Sequence, residues 1–370
     1  MRHSSFLEIN LSLLGENVQS IKKLAPRAEL IPMVKANAYG NGLIPISQHM
    51  VREHGVKKLG CASLGEALAV FEESPDLDVE MLVFSDSEMQ NPELRQAYAE
   101  MKITPVIHQP ADLEVILSNP EFKRVPLVIK LNTGMNRLGF SWEELEPFVP
   151  RLKSRGIEHL LTHFACSYFI LKEGDKTHRQ MDEFRRIQKN LKDAGVEVRT
   201  TSVSNSGAIE QKFGVDETYI RPGLMLYGPP AVLEPQIWFG KQSSRLMTKV
   251  MKTFHAKKGT PIGYGINVLP HDAFLAIIPI GYGDGLVTFA SGLELNIKGL
   301  KAKLFARINM DMAFLMFDPS AEGKIKVEDQ IEIWNNDNRV ITDIATQMKT
   351  IPYQVMCAIS HRIPRIYKVK

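Results

Sequence analysis

The 370 residues suffice for one large and one small domain, and 44% hydrophobic with 24% charged residues is ordinary for a globular protein. A net charge of +3 without any Lys/Arg cluster interleaved with aromatics argues against a nucleic-acid partner. No apolar run approaches the ~20 residues that cross a bilayer, and residues 1–10 carry no apolar secretion-signal stretch, so no membrane partner is expected. Cys61, Cys166 and Cys357 form neither a close pair nor a metal-ligand spacing, which predicts reduced thiols in a cytoplasmic protein without a bound metal.

In chain order, strands are predicted over 28–35, 57–62, 80–84, 102–108, 125–131, 157–164, 198–204 and 217–221. Most are short apolar runs without alternation, as parallel strands buried on both faces require. Helices fit between them. The clearest covers 176–193, where Met181, Phe184, Ile187 and Leu191 recur at helical spacing and Gly195 follows as a stop. Ser63 with Glu66, and Ser141 with Glu144, have capping-box spacing. Eight such units predict a (β/α)8 barrel of the TIM type; an open dinucleotide-binding sheet would carry G-x-G-x-x-G after its first strand, and none is present.

Gly228, Pro229, Pro230 and Pro235, with a polar stretch to about Ser244, read as a linker. Beyond it, 246–255, 274–280, 303–308, 313–317 and 330–334 read as strands between turns, with one short helix at 342–349 after Thr342. The expected organisation is a barrel domain over 1–235 and a mainly β domain over 236–370.

Lys35 is placed at the C-terminal end of the first barrel strand, the face where barrel enzymes carry their chemistry. It opens the run 34–42, VKANAYGNG, whose glycines let a loop approach a bound group closely. An amine held near apolar walls titrates low enough to act as nucleophile or base, and to form an imine. Taken alone, a lysine at a strand end more often marks only a chain re-entering water.

That run resembles the pyridoxal-phosphate lysine motif of alanine racemases. Further segments resemble the family's other motifs, in the family's order: 130–139 KLNTGMNRLG, 162–165 THFA, Asn205-Ser206, 221–224 RPGL with 226–228 LYG, 263–265 GYG, 281–285 GYGDG, 307–311 RINMD, and 353–355 YQV ahead of 360–365 SHRIPR. The resemblance implies a pyridoxal 5'-phosphate-dependent isomerase that interconverts L- and D-alanine and supplies D-alanine for peptidoglycan. It implies a homodimer with shared active sites, in which Lys35 of one chain and Tyr264 of the other are the two bases.

The remaining roles follow from the same resemblance. Tyr39, Asn205, Ser206, Gly223, Leu224 and Tyr353 would hold the cofactor, chiefly its phosphate. His163 would pack on the cofactor ring and partner Tyr264, and Arg221 would face the pyridine nitrogen. Arg137, Met310 and Tyr282 would serve the substrate, and Lys130, carbamylated in many relatives, would brace Arg137. An arginine only donates hydrogen bonds, so the nitrogen opposite it stays unprotonated, which favours racemisation over transamination.

Two positions depart from the family pattern. Ser202 stands where most relatives have histidine, and Asn136 where they have glycine. Two other readings share this barrel: a racemase of other or broader range, such as serine or basic amino acids, and a non-catalytic pyridoxal-phosphate carrier. The carrier would lack the β domain and its Gly263-Tyr264-Gly265. A related decarboxylase would show a cysteine-aspartate motif near the C-terminus, where Cys357 is followed by Ala358.

Overall fold

The computed structural model describes residues 4–369. The eight parallel strands stand where the sequence places them: Glu29–Leu30, Lys58–Ser63, Glu80–Asp86, Ile103–Ile107, Val128–Lys130, Ile157–Leu161, Val198–Ser202 and Tyr219–Ile220. From Lys58–Ser63 onward each pairs with its sequence neighbour, and Glu29–Leu30 pairs with Tyr219–Ile220. The ring closes beyond the regular part of the first strand, where Val34 N donates to Gly60 O (2.8 Å) and Gly60 N to Pro32 O (2.9 Å). Ile31, Leu82, Val106, Val128 and Leu161 pack inside as an apolar cluster, so the barrel interior is a packed core.

The helix Lys176–Asp193 has the predicted bounds. Asp175 caps it by accepting from His178 N, and Phe184, Ile187 and Leu191 lie on its buried face. Ser141 and Glu144 form the full capping box. At the other predicted box only one arm exists: Ser63 accepts from Glu66 N, while the Glu66 carboxylate takes the N–H groups of Ala62 (2.7 Å) and Ala36 (2.6 Å).

The C-terminal part is mainly β, as expected, but its strands are arranged in two sheets. A five-stranded antiparallel sheet runs in the order Lys252–Ala256, Ala273–Ile278, Ala313–Phe317, Leu300–Phe305, Glu294–Ile297. A four-stranded sheet runs in the order Gln330–Trp334, Ser244–Lys249, Phe6–Asn10, Arg365–Lys368. The expected single strand 246–255 is therefore two strands. The chain changes sheets at Val250 and Met251, whose N–H groups go to Asp329 O (2.9 Å) and Ile277 O (2.8 Å) respectively.

Other boundaries shift for local reasons. The strand expected at 303–308 occupies Leu300–Phe305 and ends at Ala306, which takes φ 59°. The helix expected from 342 begins at Asn338, because Asp337 caps it through Arg339 N and the Thr342 hydroxyl back-bonds to Asn338 O (2.8 Å). The strands Phe6–Asn10, Glu294–Ile297 and Arg365–Lys368 have no counterpart in the sequence reading.

Gly228 stands where the chain leaves the barrel. It has φ +120°, a Cβ there would lie 2.3 Å from Lys241 O, and its carbonyl accepts from Trp238 Nε1 (3.0 Å) and Asn338 Nδ2 (3.3 Å). Gly228→Ala should lower unfolding free energy by at least about 2 kcal/mol, since strained backbone and steric overlap act together. Urea denaturation checks this; an unchanged midpoint would show that the turn relaxes freely.

Candidate active site

Behind Lys35 the chain winds left-handed: Ala36, Asn37, Ala38 and Tyr39 all have φ between 51° and 54°. Each such non-glycine residue costs roughly 1–2 kcal/mol, so a run of them must be held from outside. Inside the turn, Ala38 N donates to Val34 O (2.7 Å), Gly42 N to Asn37 O (2.9 Å) and Leu43 N to Asn37 Oδ1 (2.8 Å). Glu66 takes the N–H of Ala36, as described above. From the last strand, Arg365 Nε donates to Gly40 O (3.1 Å) and the Tyr367 hydroxyl to Asn41 O (2.9 Å). Gly40 is required by this approach, since a Cβ there would lie 2.2 Å from Met356 O.

Lys35 opens onto a cavity of ≈ 240 Å³ at the barrel mouth. Tyr39, Arg137, His163, Asn205, Ser206, Arg221, Gly223, Leu224 and Tyr353 line it with Lys35, so the structure brings most of the singled-out residues together. Lys130 lines it as well. Its charged lining residues are the four cations Lys35, Lys130, Arg137 and Arg221, and among the described residues no carboxylate faces in. Such a cavity asks for anions.

Burial first, and Arg137 next, lower the Lys35 ammonium from its usual value, against the opposing pull of Glu66 and Cys357. Burial and then Arg137, Arg221 and Lys35 push Lys130 down to about 8. His163 is held well below the usual imidazole range by burial and then by the same cations, so its ring is neutral. Asn205 Nδ2 points at its Nε2 from 3.5 Å and is anchored on Phe164 O (3.0 Å).

Arg221 is buried and its guanidinium is lowered by burial. Its Nη2 donates to Thr162 O and to Val203 O (3.2 Å), and its Nη1 donates to the Ser202 hydroxyl. Ser202 thus still supports this arginine. The other departure is also accommodated: Asn136 takes φ 55°, a conformation that asparagine tolerates better than most residues. Asn132 Oδ1 accepts from Gly134 N (3.2 Å) and Asn136 N (2.9 Å), which curls the turn carrying Arg137.

The opposite wall is built for a compact anion. Ser206 Oγ accepts from Gly223 N (3.0 Å) and Met225 N (3.4 Å). A Cβ on Gly223 would come within 2.4 Å of the Tyr39 hydroxyl, so only glycine lets backbone, Ser206 and Tyr39 converge. The Tyr39 ring packs between Tyr227 (centroids 4.9 Å) and Tyr353 (5.7 Å). Hydroxyls and N–H groups converging in this way suit a phosphate.

Tyr264, Tyr282 and Met310 do not line this cavity. They are exposed by 67%, 43% and 54% respectively, on the C-terminal part. Tyr264 sits between Gly263 and Gly265, both at positive φ, with the fully exposed Ile266 beside it. Tyr282 and Met310 form one unit: Tyr282 N donates to Asn309 O (3.0 Å) and Gly283 N to Met310 O (2.8 Å). The sequence marks Glu66 only as a helix cap and Thr162 only as the first residue of the 162–165 motif, and nothing local in it marks His159, which lies behind Arg221.

The family profile described as alanine racemase, N-terminal domain, matches residues 9–230, and that for the C-terminal domain matches 243–367. The chain is 30% identical over 376 residues to the alanine racemase of Carboxydothermus hydrogenoformans, covering 97% of this chain and 98% of that one. The solved structure of alanine racemase from Acinetobacter baumannii is similar at TM-score 0.84 and 26% identity, covering 99% of each chain. That from Bartonella henselae, with covalently bound pyridoxal phosphate, shares the fold at TM-score 0.86 and 22% identity, covering 99% of this chain and 100% of that one.

Glu66→Ala removes the charged acceptor of the Ala36 and Ala62 N–H groups; a hydrogen bond to a charged group contributes about 1.5–3 kcal/mol. The left-handed turn should open locally, and hydrogen exchange at the Ala36 amide should quicken well beyond exchange in the barrel strands. Equal acceleration everywhere would mean a global effect.

Proposed function

We propose that this chain, which belongs to the alanine racemase family over both of its domains, interconverts L-alanine and D-alanine as a homodimer and supplies D-alanine for peptidoglycan. The observation that carries this reading is the cavity itself: a lysine with a lowered pKa faces buried cations, and an arginine occupies the position behind the ring site.

Pyridoxal 5'-phosphate is the cofactor, and when bound it supplies the electron sink that makes an amino acid's α-proton removable. The donor set fits it. Ser206, the amides of Gly223 and Leu224, Tyr39 and Tyr353 would hold the phosphate, with Asn205 and His163 beside the ring. Lys35 is the covalent attachment point, and its released amine is the base on one face. Burial keeps that amine closer to its neutral, proton-accepting form than an exposed lysine would be.

Tyr264 of the partner subunit is the base on the other face. Exposure of Tyr264, Ile266, Tyr282 and Met310 on a glycine-flanked surface of each chain supports this arrangement, since a single chain leaves them outside its own cavity. Tyr264 would face a cavity whose charged groups are the cations Lys35, Lys130, Arg137 and Arg221, with a neutral His163 imidazole beside them. Arg137 and the Met310 amide take the substrate carboxylate, with Tyr282 at the entrance. Arg221 leaves the ring nitrogen an acceptor, which limits how long the α-carbon stays without its proton and so disfavours transamination. The three cysteines are free thiols, in keeping with a cytoplasmic enzyme.

Incubation with each L-amino acid and chiral chromatography should yield D-alanine fastest. A larger yield of D-serine or of a basic D-amino acid would move the substrate assignment. Borohydride reduction should fix the cofactor to Lys35, and its recovery on another lysine by peptide mapping would refute the attachment.

Lys35→Ala and Tyr264→Phe should each be nearly inactive. Dissociating, mixing equal amounts and refolding should restore roughly a quarter of parental activity, because about half the dimers are mixed and each of those holds one intact site by two-fold symmetry. No recovery, with parental protein surviving the same treatment, would place both bases in one chain or remove Tyr264 from the mechanism.

A further inference from the structure

The departure at Ser202 places a hydroxyl between two groups on neighbouring strands. On one side Arg221 Nη1 donates to Ser202 Oγ, and on the other His159 Nε2 lies 2.7 Å from the same oxygen. A guanidinium cannot accept, so the Ser202 proton is directed to His159 Nε2, which must then be the unprotonated nitrogen. The far end gives the same answer independently. Thr200 Oγ1 donates to Glu158 O (2.5 Å) and lies 2.9 Å from His159 Nδ1, so Nδ1 carries the proton. The hydrogen bonds therefore run in one direction, from Arg221 through Ser202, His159 and Thr200 to the Glu158 carbonyl.

We infer that His159 is a positioning residue for the cofactor's ring nitrogen: it fixes the Ser202 proton, which turns a Ser202 lone pair to Arg221 and aims the guanidinium into the cavity. This rests on the proposed function for what Arg221 faces, but the direction of the hydrogen bonds does not. The ring is buried, with the Tyr219 ring edge-on at 5.4 Å. The charged groups acting on it, Arg221 and Lys58, are both cationic, and with burial they push His159 down to about 3. A second proton on His159 would give Ser202 donors on both sides and leave its own proton without this acceptor. The neutral tautomer with Nδ1–H is thus the state that holds Arg221 in place.

The holoenzyme and the cofactor-free protein, 15N-labelled at histidine, test this directly, with the His159 signals assigned by their loss in His159→Gln. Nδ1 should be protonated and Nε2 bare from about pH 6 to about pH 9, without titration near the ordinary imidazole value. Ser202→Ala and His159→Phe should raise the ratio of transamination to racemisation about tenfold, equivalent to about 1.4 kcal/mol. His159→Gln, whose amide oxygen can still accept from Ser202, should restore the parental ratio. A proton on Nε2, titration in that range, or an unchanged ratio in both disruptive variants would overturn the inference. If parental enzyme does not racemise, the proposed function fails, and the nitrogen spectrum still judges the hydrogen-bond direction.

Discussion

The left-handed turn behind Lys35 is the constraint around which the rest of the site is arranged. Four non-glycine residues in that conformation would relax if left alone, at roughly 1–2 kcal/mol each. They are kept there by a carboxylate from the helix after the second barrel strand and by an arginine and a tyrosine from the strand Arg365–Lys368. Straight continuation of the strand would carry the backbone away from the barrel mouth. The turn instead leaves Lys35 at the rim and brings Tyr39 back over the anion-binding wall, against Tyr227 and Tyr353. The Lys35 amine and the Tyr39 hydroxyl are therefore both placed by one backbone excursion, which both halves of the molecule maintain.

The second organising term is charge. Lys35, Lys130, Arg137 and Arg221 share one cavity, and the first neighbouring carboxylate, Glu66, is occupied with backbone N–H groups behind the turn. Burial first, and then the repulsion of Arg137, lowers both Lys35 and Lys130. An anionic ligand relieves that repulsion and raises both toward their ordinary values, so ligand binding and lysine protonation are linked. The polar groups behind Arg221 do the opposite service, holding it with acceptors that carry no charge.

Much of the fold was legible because buried parallel strands announce themselves as short apolar runs, and all eight were found. Of the site, residues carried by motifs were legible: ten of those singled out line one cavity. What stayed hidden was hidden for physical reasons. Phe6–Asn10 is a strand whose partners lie at the far end of the chain, and no local pattern declares a pairing of that range. Residues 246–255 read as one strand because a sheet change at Val250 and Met251 alters tertiary partners and not hydropathy. His159 and Glu66 act through hydrogen bonds across neighbouring segments, which spacing along the sequence does not encode.

The placement of Phe6–Asn10 has a consequence for how the molecule comes to be. It lies between Ser244–Lys249, antiparallel to it, and Arg365–Lys368, parallel to it. Phe6–Asn10 thus waits for partners that lie far downstream in the chain. Closing a loop of that length adds only slowly to the entropic cost, by about 0.6 kcal/mol per doubling, but it delays the event. The barrel strands can assemble from local βα units during synthesis, while Phe6–Asn10 has no strand partner until Ser244–Lys249 is made and keeps one open edge until Arg365–Lys368 follows. Since the clamp on the Lys35 turn comes from Arg365 and Tyr367, a nascent chain can own a barrel before it owns a fixed Lys35 turn.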